Sequence, residues 1–257
     1  MLHISDFNYA DFIGDGNEVE HDGHTRYLTY KGKAPSHGLC LRPVSADFPI
    51  IPKAQWVERI KAKKGGLKEL GDFYGIKVKN QDGRKLCWAY GSTSVLEYTR
   101  AKQGQPYLEL APESVSGPTN NWSNQGGWGE TALEQLQKGG ACAETYLDSQ
   151  WSLSPKRWKT GWEQNALNNR VVEWYEVNGI EEVITLLLND FPIAAGLNWW
   201  AHLIVYVGVV LVDGVPAVLA RNSWGTTYGD NGYFTLSLSK ATPDGAWAGR
   251  AATIGDN

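Results

Sequence analysis

The spacing of apolar residues changes along the chain. In AQWVERIKAKKGG (residues 54–66) and ETALEQLQKGG (residues 130–140), apolar side chains recur every three or four positions, which is typical of amphipathic helices. The stretch IEEVITLLLND (residues 180–190) has the same period. Each of the first two stretches ends in a pair of glycines, and glycine is a common helix stop. The pattern predicts a helix over each of the three stretches.

A fourth predicted helix begins at Cys87. Between Cys87 and Gln103 the chain has no proline and only one glycine, Gly91, while apolar residues keep the helical period. Gly104 follows as a stop signal. A lone cysteine is most often a small buried apolar residue, so its position at a helix start does not by itself indicate chemistry.

The second half of the chain changes to short β-rich runs. Asp213-Gly214 separates two of these runs and is a strong signal for a two-residue hairpin turn. Helices followed by an antiparallel sheet predict an α+β fold. The runs are FPIAAGL (residues 191–197), HLIVYVGVVLV (residues 202–212), VPAVLARNSW (residues 215–224) and GYFTLSL (residues 232–238).

Residues 1–48 have no such periodicity. DFIGDGNEVEHDGH (residues 11–24) is acidic and glycine-rich, and APSHGLCLRP (residues 34–43) carries proline and glycine. We therefore expect an N-terminal extension over residues 1–48, followed by one domain over residues 49–257. Within that domain the helices would occupy about residues 49–170 and the sheet about residues 171–257.

Composition excludes several classes of function. The 257 residues are 42% hydrophobic and 20% charged with a net charge of -4, so neither a nucleic-acid footprint nor a polybasic membrane patch is expected. The longest apolar run, Leu203 to Val212, is about half of the ~20 residues that a spanning helix needs. The start, MLHISDFNYADF, lacks a basic leader and an apolar core. We expect no signal peptide, and a location in the cytoplasm or in a particle assembled there.

The three cysteines, Cys40, Cys87 and Cys142, are odd in number and far apart. They form neither a disulfide framework nor paired zinc ligands. The segment His21-Asp22-Gly23-His24 lacks further spaced ligands and is weak support for a metal site. We therefore expect no metal and no cofactor, and at least one thiol outside any intrachain disulfide.

A nucleophilic thiol needs a base, a group that orients the base, and donors for the developing oxyanion. At a helix N-terminus, Cys87 would feel the positive end of the macrodipole, which favours the thiolate. His202 is the only histidine beyond residue 37 and opens a β-rich run. Asn222 ends the next run, so a hairpin could place it beside His202. Each residue alone is more often structural, and the conjunction favours chemistry.

Four pieces of the sequence together resemble the papain-like cysteine peptidases. They are VKNQ (residues 78–81) followed by Cys87-Trp88-Ala89, then GGWGETAL (residues 126–133), then the histidine that opens a strand, and NSWGTTYGDNGYF (residues 222–234). The resemblance covers roughly residues 49–238. It implies a two-lobed α+β fold, with a helical left lobe whose central helix starts at the nucleophile. The right lobe would be an antiparallel, barrel-like sheet, and a cleft would separate the lobes.

The resemblance also implies roles. Cys87 would be the nucleophile, His202 the general base and acid, Asn222 the group that orients the imidazole, and Gln81 an oxyanion donor. The reaction would be peptide hydrolysis through a thiolate–imidazolium pair and a thioester, with peptides or proteins as partners. Trp224 would cover the Asn222–His202 hydrogen bond, and paired glycines would let a substrate backbone lie alongside. The residues expected to bind substrate are Gly126, Gly127, Trp128, Trp200, Ala201 and Trp224.

The chain departs from the family pattern near the nucleophile. Arg84 and Asn124 stand where the family has two cysteines, which fits a reducing compartment and removes a clamp from the active-site loop. His202 follows Cys87 by 115 positions (202 − 87), fewer than in papain-like enzymes. The bulk of Trp199 and Trp200 suggests a small or shallow specificity pocket.

Two questions stay open at the level of sequence. Residues 1–48 do not resemble the family's helical inhibitory segment, so the extension either completes the fold or lies over the cleft as a block. The function could also differ from peptide hydrolysis. Alternatives are an assembly or structural protein on a peptidase scaffold, such as a virus-particle component, and an amidase acting on cell-wall or small-molecule substrates.

Overall fold

An eight-stranded sheet dominates the computed structural model, which describes residues 1–33, 39 and 41–253. The strand order is β1-β9-β8-β7-β6-β10-β5-β4, and a separate hairpin pairs β2 with β3. Cys40 lies outside the described residues. The strands are β1 (His3–Ile4), β2 (Glu18–His21), β3 (His24–Tyr27), β4 (Leu41–Pro43), β5 (Val171–Val177), β6 (Ile193–Leu197), β7 (His202–Val212), β8 (Val215–Arg221), β9 (Tyr233–Ser237) and β10 (Gly245–Ala252).

Helices supply the rest of the α+β fold that the sequence predicts, and that prediction is confirmed. The four predicted helices are present as α1, α3, α5 and α7, whereas α2, α4 and α6 were not predicted. The helices are α1 (Trp56–Ala62), α2 (Leu67–Tyr74), α3 (Cys87–Lys102), α4 (Glu113–Thr119), α5 (Gly129–Lys138), α6 (Trp162–Leu167) and α7 (Gly179–Leu188). Within the described residues, no helix has both the length and the apolar character needed to cross a bilayer.

The predicted hairpin joins β7 to β8. Val212 pairs with Val215 across the turn. Asp213 and Gly214 have φ values of +50° and +80°, the left-handed conformation that such two-residue turns require. Because the turn has only two residues, the two strands pair along most of their length. At the far end from the turn, Val205 pairs with Arg221. This register places the residues around His202 and Asn222 side by side.

Helix α3 lies at the centre of the molecule. Every residue in it except Lys102 is buried, as expected for a helix covered on all faces. Gly91 permits close contact with β7, because a Cβ there would lie 2.5 Å from Leu203 Cδ2. The first residue of the helix, Cys87, is thereby held beside the strand that His202 opens.

The first 48 residues contribute to the sheet. Strand β1 pairs in parallel with β9, and β4 pairs in parallel with β5, so the extension forms both edges of the sheet. The six strands between these edges pair in antiparallel fashion. Helix α1 packs in the apolar cluster of the sheet through Trp56 and Ile60. The division into an extension over residues 1–48 and two lobes after it stays a prediction.

Candidate active site

The hairpin brings His202 and Asn222 together. His202 Nε2 and Asn222 Oδ1 are 2.8 Å apart, and both side chains are buried. The backbone N–H of Ser223 also donates to Asn222 Oδ1, at 2.8 Å. Because Asn222 Oδ1 can only accept a hydrogen bond, the ring nitrogen that faces it must be the donor. His202 Nε2 is therefore the nitrogen that carries the proton.

The other ring nitrogen of His202 is left as an acceptor. Nδ1 is buried and has no hydrogen-bond partner among the described residues. Desolvation lowers the pKa of His202 to about 4, against a smaller opposing effect of the hydrogen bond with Asn222. The imidazole is therefore neutral at pH 7, with a lone pair on Nδ1 that can take a proton.

Trp224 covers this pair. Its ring centroid lies 5.0 Å from that of His202, with the two planes tilted by 35°. Trp200 meets His202 edge-on at 5.1 Å, and its indole Nε1 donates to Phe12 O at 2.9 Å. The imidazole thus sits among aromatic rings, and this surrounding explains the desolvation that lowers its pKa.

Cys87 begins α3 and is fully buried, with 0% of its surface exposed. Burial raises the pKa of the thiol, against weaker opposing effects of hydrogen bonds to Leu203, Thr29 and Trp88. The Thr29 hydroxyl Oγ1 lies 3.7 Å from Cys87 Sγ. In this covered state the site favours a neutral thiol and a neutral imidazole, rather than the thiolate–imidazolium pair expected from the sequence.

Gln81 is buried beside the same site. Its backbone N–H donates to Ser223 O at 2.8 Å, and its side-chain Oε1 accepts from the Ser223 hydroxyl. Its Nε2 donates to Arg84 O at 2.8 Å. An amide NH₂ carries two N–H donors, so a second one is available for an oxyanion.

The loop that carries Gln81 is held by the N-terminal extension. Arg26, which is 2% exposed, donates to Asn80 Oδ1 at 3.1 Å and to Asp82 Oδ1 at 3.2 Å. On the other side of the loop, the backbone N–H of Lys85 donates to Asn124 Oδ1 at 2.7 Å. These contacts hold a loop that the sequence leaves without the family's disulfide.

A cleft beside Cys87 has Gly127 on one wall and Ala201 on the other. Residues 29–31 of the extension lie between these two walls. The backbone N–H of Tyr30 donates to Ala201 O at 2.8 Å, and that of Lys31 donates to Gly127 O at 3.0 Å. Tyr30 and Gly127 form a parallel β-bridge. Together with Thr29 against the thiol, this segment occupies the space beside Cys87.

The residues expected to bind substrate differ in what they contact. A Cβ at Gly126 would lie 2.4 Å from Thr29 O, so its missing side chain permits the approach of the segment. A Cβ at Gly127 would instead strike the Trp88 ring. Trp128 is 40% exposed, and Lys31 Nζ lies 4.8 Å above its ring. Sequence reasoning missed Arg26 and Tyr30, since their loop-like segment has no periodicity to mark them.

The chain is similar in sequence to known proteins. A family model described as "Papain family cysteine protease" matches residues 193–246, the stretch that contains His202 and Asn222. The thiol protease aleurain of Arabidopsis thaliana is 23% identical over 188 residues, which cover 63% of this chain. The chain is therefore similar to the papain-like cysteine peptidases.

Other relatives extend the papain-like match over more of the chain. A cathepsin L-like proteinase of Fasciola hepatica is 23% identical over 244 residues, covering 84% of this chain and 69% of the relative. The chain covers 52% of aleurain, and so spans about half the length of the first curated relatives that it matches.

Solved structures show that the fold is papain-like. Xylellain, a cysteine protease from Xylella fastidiosa, superposes with a TM-score of 0.61 at 16% identity, covering 91% of this chain and 98% of that one. A procathepsin B from Trypanosoma congolense gives a TM-score of 0.64 at 14% identity, covering 86% of each chain. The papain-like α+β fold implied by the resemblance is confirmed.

Proposed function

We propose that the protein hydrolyses peptide bonds, with Cys87 as the nucleophile and His202 as the general base and acid. The observation that carries the proposal is the His202–Asn222 hydrogen bond of 2.8 Å, which leaves Nδ1 of a neutral imidazole as an acceptor. A base in this form can take the proton of the thiol that begins α3. The N-terminus of that helix then favours the thiolate.

Each later step has a candidate group in the site. Attack of the thiolate on a peptide carbonyl gives a tetrahedral oxyanion, for which the second Nε2–H of Gln81 and the backbone N–H of Cys87 are donors. The imidazolium of His202 protonates the leaving amine as the carbon–nitrogen bond breaks. Water, deprotonated by His202, then attacks the thioester and releases the acid.

The N-terminal extension keeps this site covered and also completes the fold. Edge pairing by β1 and β4 supports its role in the fold. The hydrogen bonds of Tyr30 and Lys31 to the cleft walls support its role as a block. Deleting the whole extension would remove both roles at once, so a point variant is the sharper test.

The test compares four full-length proteins on a mixture of fluorogenic peptides. The parent should turn over slowly, because Cys87 and His202 are fully covered. Tyr30→Ala should increase turnover, since it removes the side chain that holds the segment in the cleft. Adding Cys87→Ala or His202→Gln to Tyr30→Ala should abolish the increase. Equal turnover with and without Cys87 would contradict the proposal.

The partners that we propose are peptide or protein substrates, in a reducing compartment such as the cytoplasm or a particle assembled there. The two cysteines within the described residues, Cys87 and Cys142, are buried free thiols, which supports a reducing setting. Backbone acceptors on both walls of the cleft, Gly127 O and Ala201 O, suit an extended peptide. Turnover of small amides but not peptides would favour an amidase, and an inert Cys87 in every variant would favour an assembly role.

A further inference from the structure

Basic side chains are concentrated in residues 53–68, which include α1 and the start of α2. This segment carries six basic residues and one acidic residue, a net charge of +5 (6 − 1). Since the whole chain has a net charge of -4, the remaining residues carry −9 (−4 − 5). The overall charge therefore hides a basic segment, and such an asymmetry is typical of a surface that binds an acidic partner.

Two of these lysines have charges that no acidic side chain balances. Lys63 and Lys68 form ion pairs with neighbouring aspartates, at 2.9 Å and 2.8 Å. Lys61 and Lys64 are exposed, and neither has an ion-pair partner within the part of the chain that the structure describes. Their ammonium groups are therefore available to the carboxylates of another molecule.

The lysines border a groove of about 340 Å³ between α1, the start of α2 and the β7–β8 hairpin. Its charged lining residues are Lys61, Lys63, Lys68 and Glu69, and Lys64 stands between two lining residues in the sequence. Its buried lining residues are all apolar, so the groove has an apolar floor and a mainly basic rim. These apolar residues are Ile60, Val207, Val209 and Leu219.

The shape of the groove favours a polypeptide over other acidic partners. Binding to a membrane surface needs apolar side chains that protrude into the lipid, whereas the apolar side chains of the groove are buried or half-buried. A nucleic acid presents phosphates but has no aliphatic side chains to fill an apolar recess. A polypeptide segment can present apolar side chains on one face and carboxylates beside them.

We propose that this groove binds an acidic polypeptide segment, whose apolar side chains enter it while its carboxylates face Lys61 and Lys64. The groove lies away from the candidate active site. It follows β7 from Val207 to Leu211, five (207 − 202) to nine (211 − 202) residues beyond His202. At about 3.3 Å per residue, this is ~17–30 Å from the imidazole. A partner bound there leaves the cleft free, so the inference does not depend on the proposed peptidase function.

The test measures binding of a short synthetic peptide, in which leucines at helical spacing alternate with glutamates. The peptide carries fluorescein, and its binding to the full-length protein is followed by fluorescence polarisation. Its affinity should decrease as salt is added, because exposed charges are screened. Replacing its glutamates with glutamines, or its leucines with serines, should in each case weaken binding by ~10-fold or more.

Two double variants provide the matched comparison for charge. Lys61→Glu combined with Lys64→Glu should weaken binding by ~10-fold or more, because two attractive charges become repulsive. Lys156→Glu combined with Lys159→Glu makes the same change in net charge at two exposed lysines that do not line the groove. This control should bind within ~2-fold of the parent, since salt screens charges at a distance.

Gly208 tests the apolar part of the groove. A Cβ at this position would make ordinary contacts with Leu219 at 3.6 Å. Gly208→Ala should therefore fit and keep the affinity of the parent. Gly208→Leu should extend into the groove and weaken binding of the leucine peptide. Thermal melting checks that each variant is folded, and where Gly208→Leu is not, the exposed lysine variants decide.

Three outcomes would overturn the inference. The first is no binding of the peptide to the folded parent protein. The second is equal affinity for the glutamate and glutamine peptides, or an equal loss in the two lysine double variants, since either removes the role of the groove's own charges. The third is tighter binding to phosphatidylserine vesicles or to a single-stranded oligonucleotide than to the peptide, which would assign the surface to a membrane or a nucleic acid. None of these results depends on whether Cys87 reacts.

Discussion

Acid should destabilise the protein through His202. Burial lowers the pKa of this group from 6.5 to about 4 in the folded state. The unfolded chain therefore binds the proton first as the pH falls, and the free energy of unfolding decreases between pH 6.5 and pH 4. Below pH 4 both states are protonated and the loss is complete. The shift of 2.5 units (6.5 − 4) corresponds to about 3 kcal/mol, at ~1.36 kcal/mol per unit.

Urea unfolding, followed by tryptophan fluorescence from pH 4 to pH 7.5, measures this effect. His202→Gln keeps an N–H donor for Asn222 but does not titrate. The difference between parent and variant therefore isolates the histidine from other titrating groups, such as the half-buried Glu144, whose pKa is raised to about 7 by desolvation. The stability of the parent relative to the variant should decrease by about 3 kcal/mol from pH 7 to pH 4. A difference that stays constant across this range would refute the desolvation argument.

Three further predictions concern single contacts. Arg26→Ala should lower the free energy of unfolding by about 2 kcal/mol, because it removes the hydrogen bonds of a buried guanidinium to the half-buried side chains of Asn80 and Asp82. Arg26→Lys should restore only part of the loss in urea unfolding. Gly91→Ala should cost about 1–3 kcal/mol by overpacking against Leu203, whereas Gly208→Ala should melt within a few degrees of the parent. Gln81→Ala, made in the Tyr30→Ala background, should reduce peptide turnover ~10²-fold to 10³-fold while leaving the labelling of Cys87 measurable, and an unchanged turnover would remove Gln81 from the oxyanion site.

Sequence patterns predicted the parts of the molecule that obey a regular period. The β7–β8 hairpin followed from Asp213-Gly214, and with it the approach of Asn222 to His202. Helix α3 followed from its apolar spacing and from Gly104. By contrast, β10 is rich in alanine and glycine and lacks the branched residues that mark strands.

The covered state of the site could not be predicted from sequence. Residues 24–31 carry no periodic pattern, and their conformation is set by distant partners: Arg26 by Asn80 and Asp82, Tyr30 by Gly196 and Ala201. The space that holds the Tyr30 ring likewise depends on Gly196 and Gly245. These glycines are 49 positions apart (245 − 196) and become neighbours only when β6 and β10 pair. Such long-range contacts leave no local signal.

The extension covers one part of the site and stabilises another. Thr29 and Tyr30 cover Cys87, the proposed nucleophile, whereas Arg26 holds the loop that carries Gln81. Arg84 and Asn124 cannot form a disulfide across that loop, so the ion pair of Arg26 with Asp82 replaces part of a missing covalent restraint. Removing the extension would therefore uncover Cys87 and at the same time loosen Gln81, the proposed oxyanion donor. Displacement of residues 29–31 alone would uncover the thiol while Arg26 stays bound, and this is the arrangement that the proposed reaction requires.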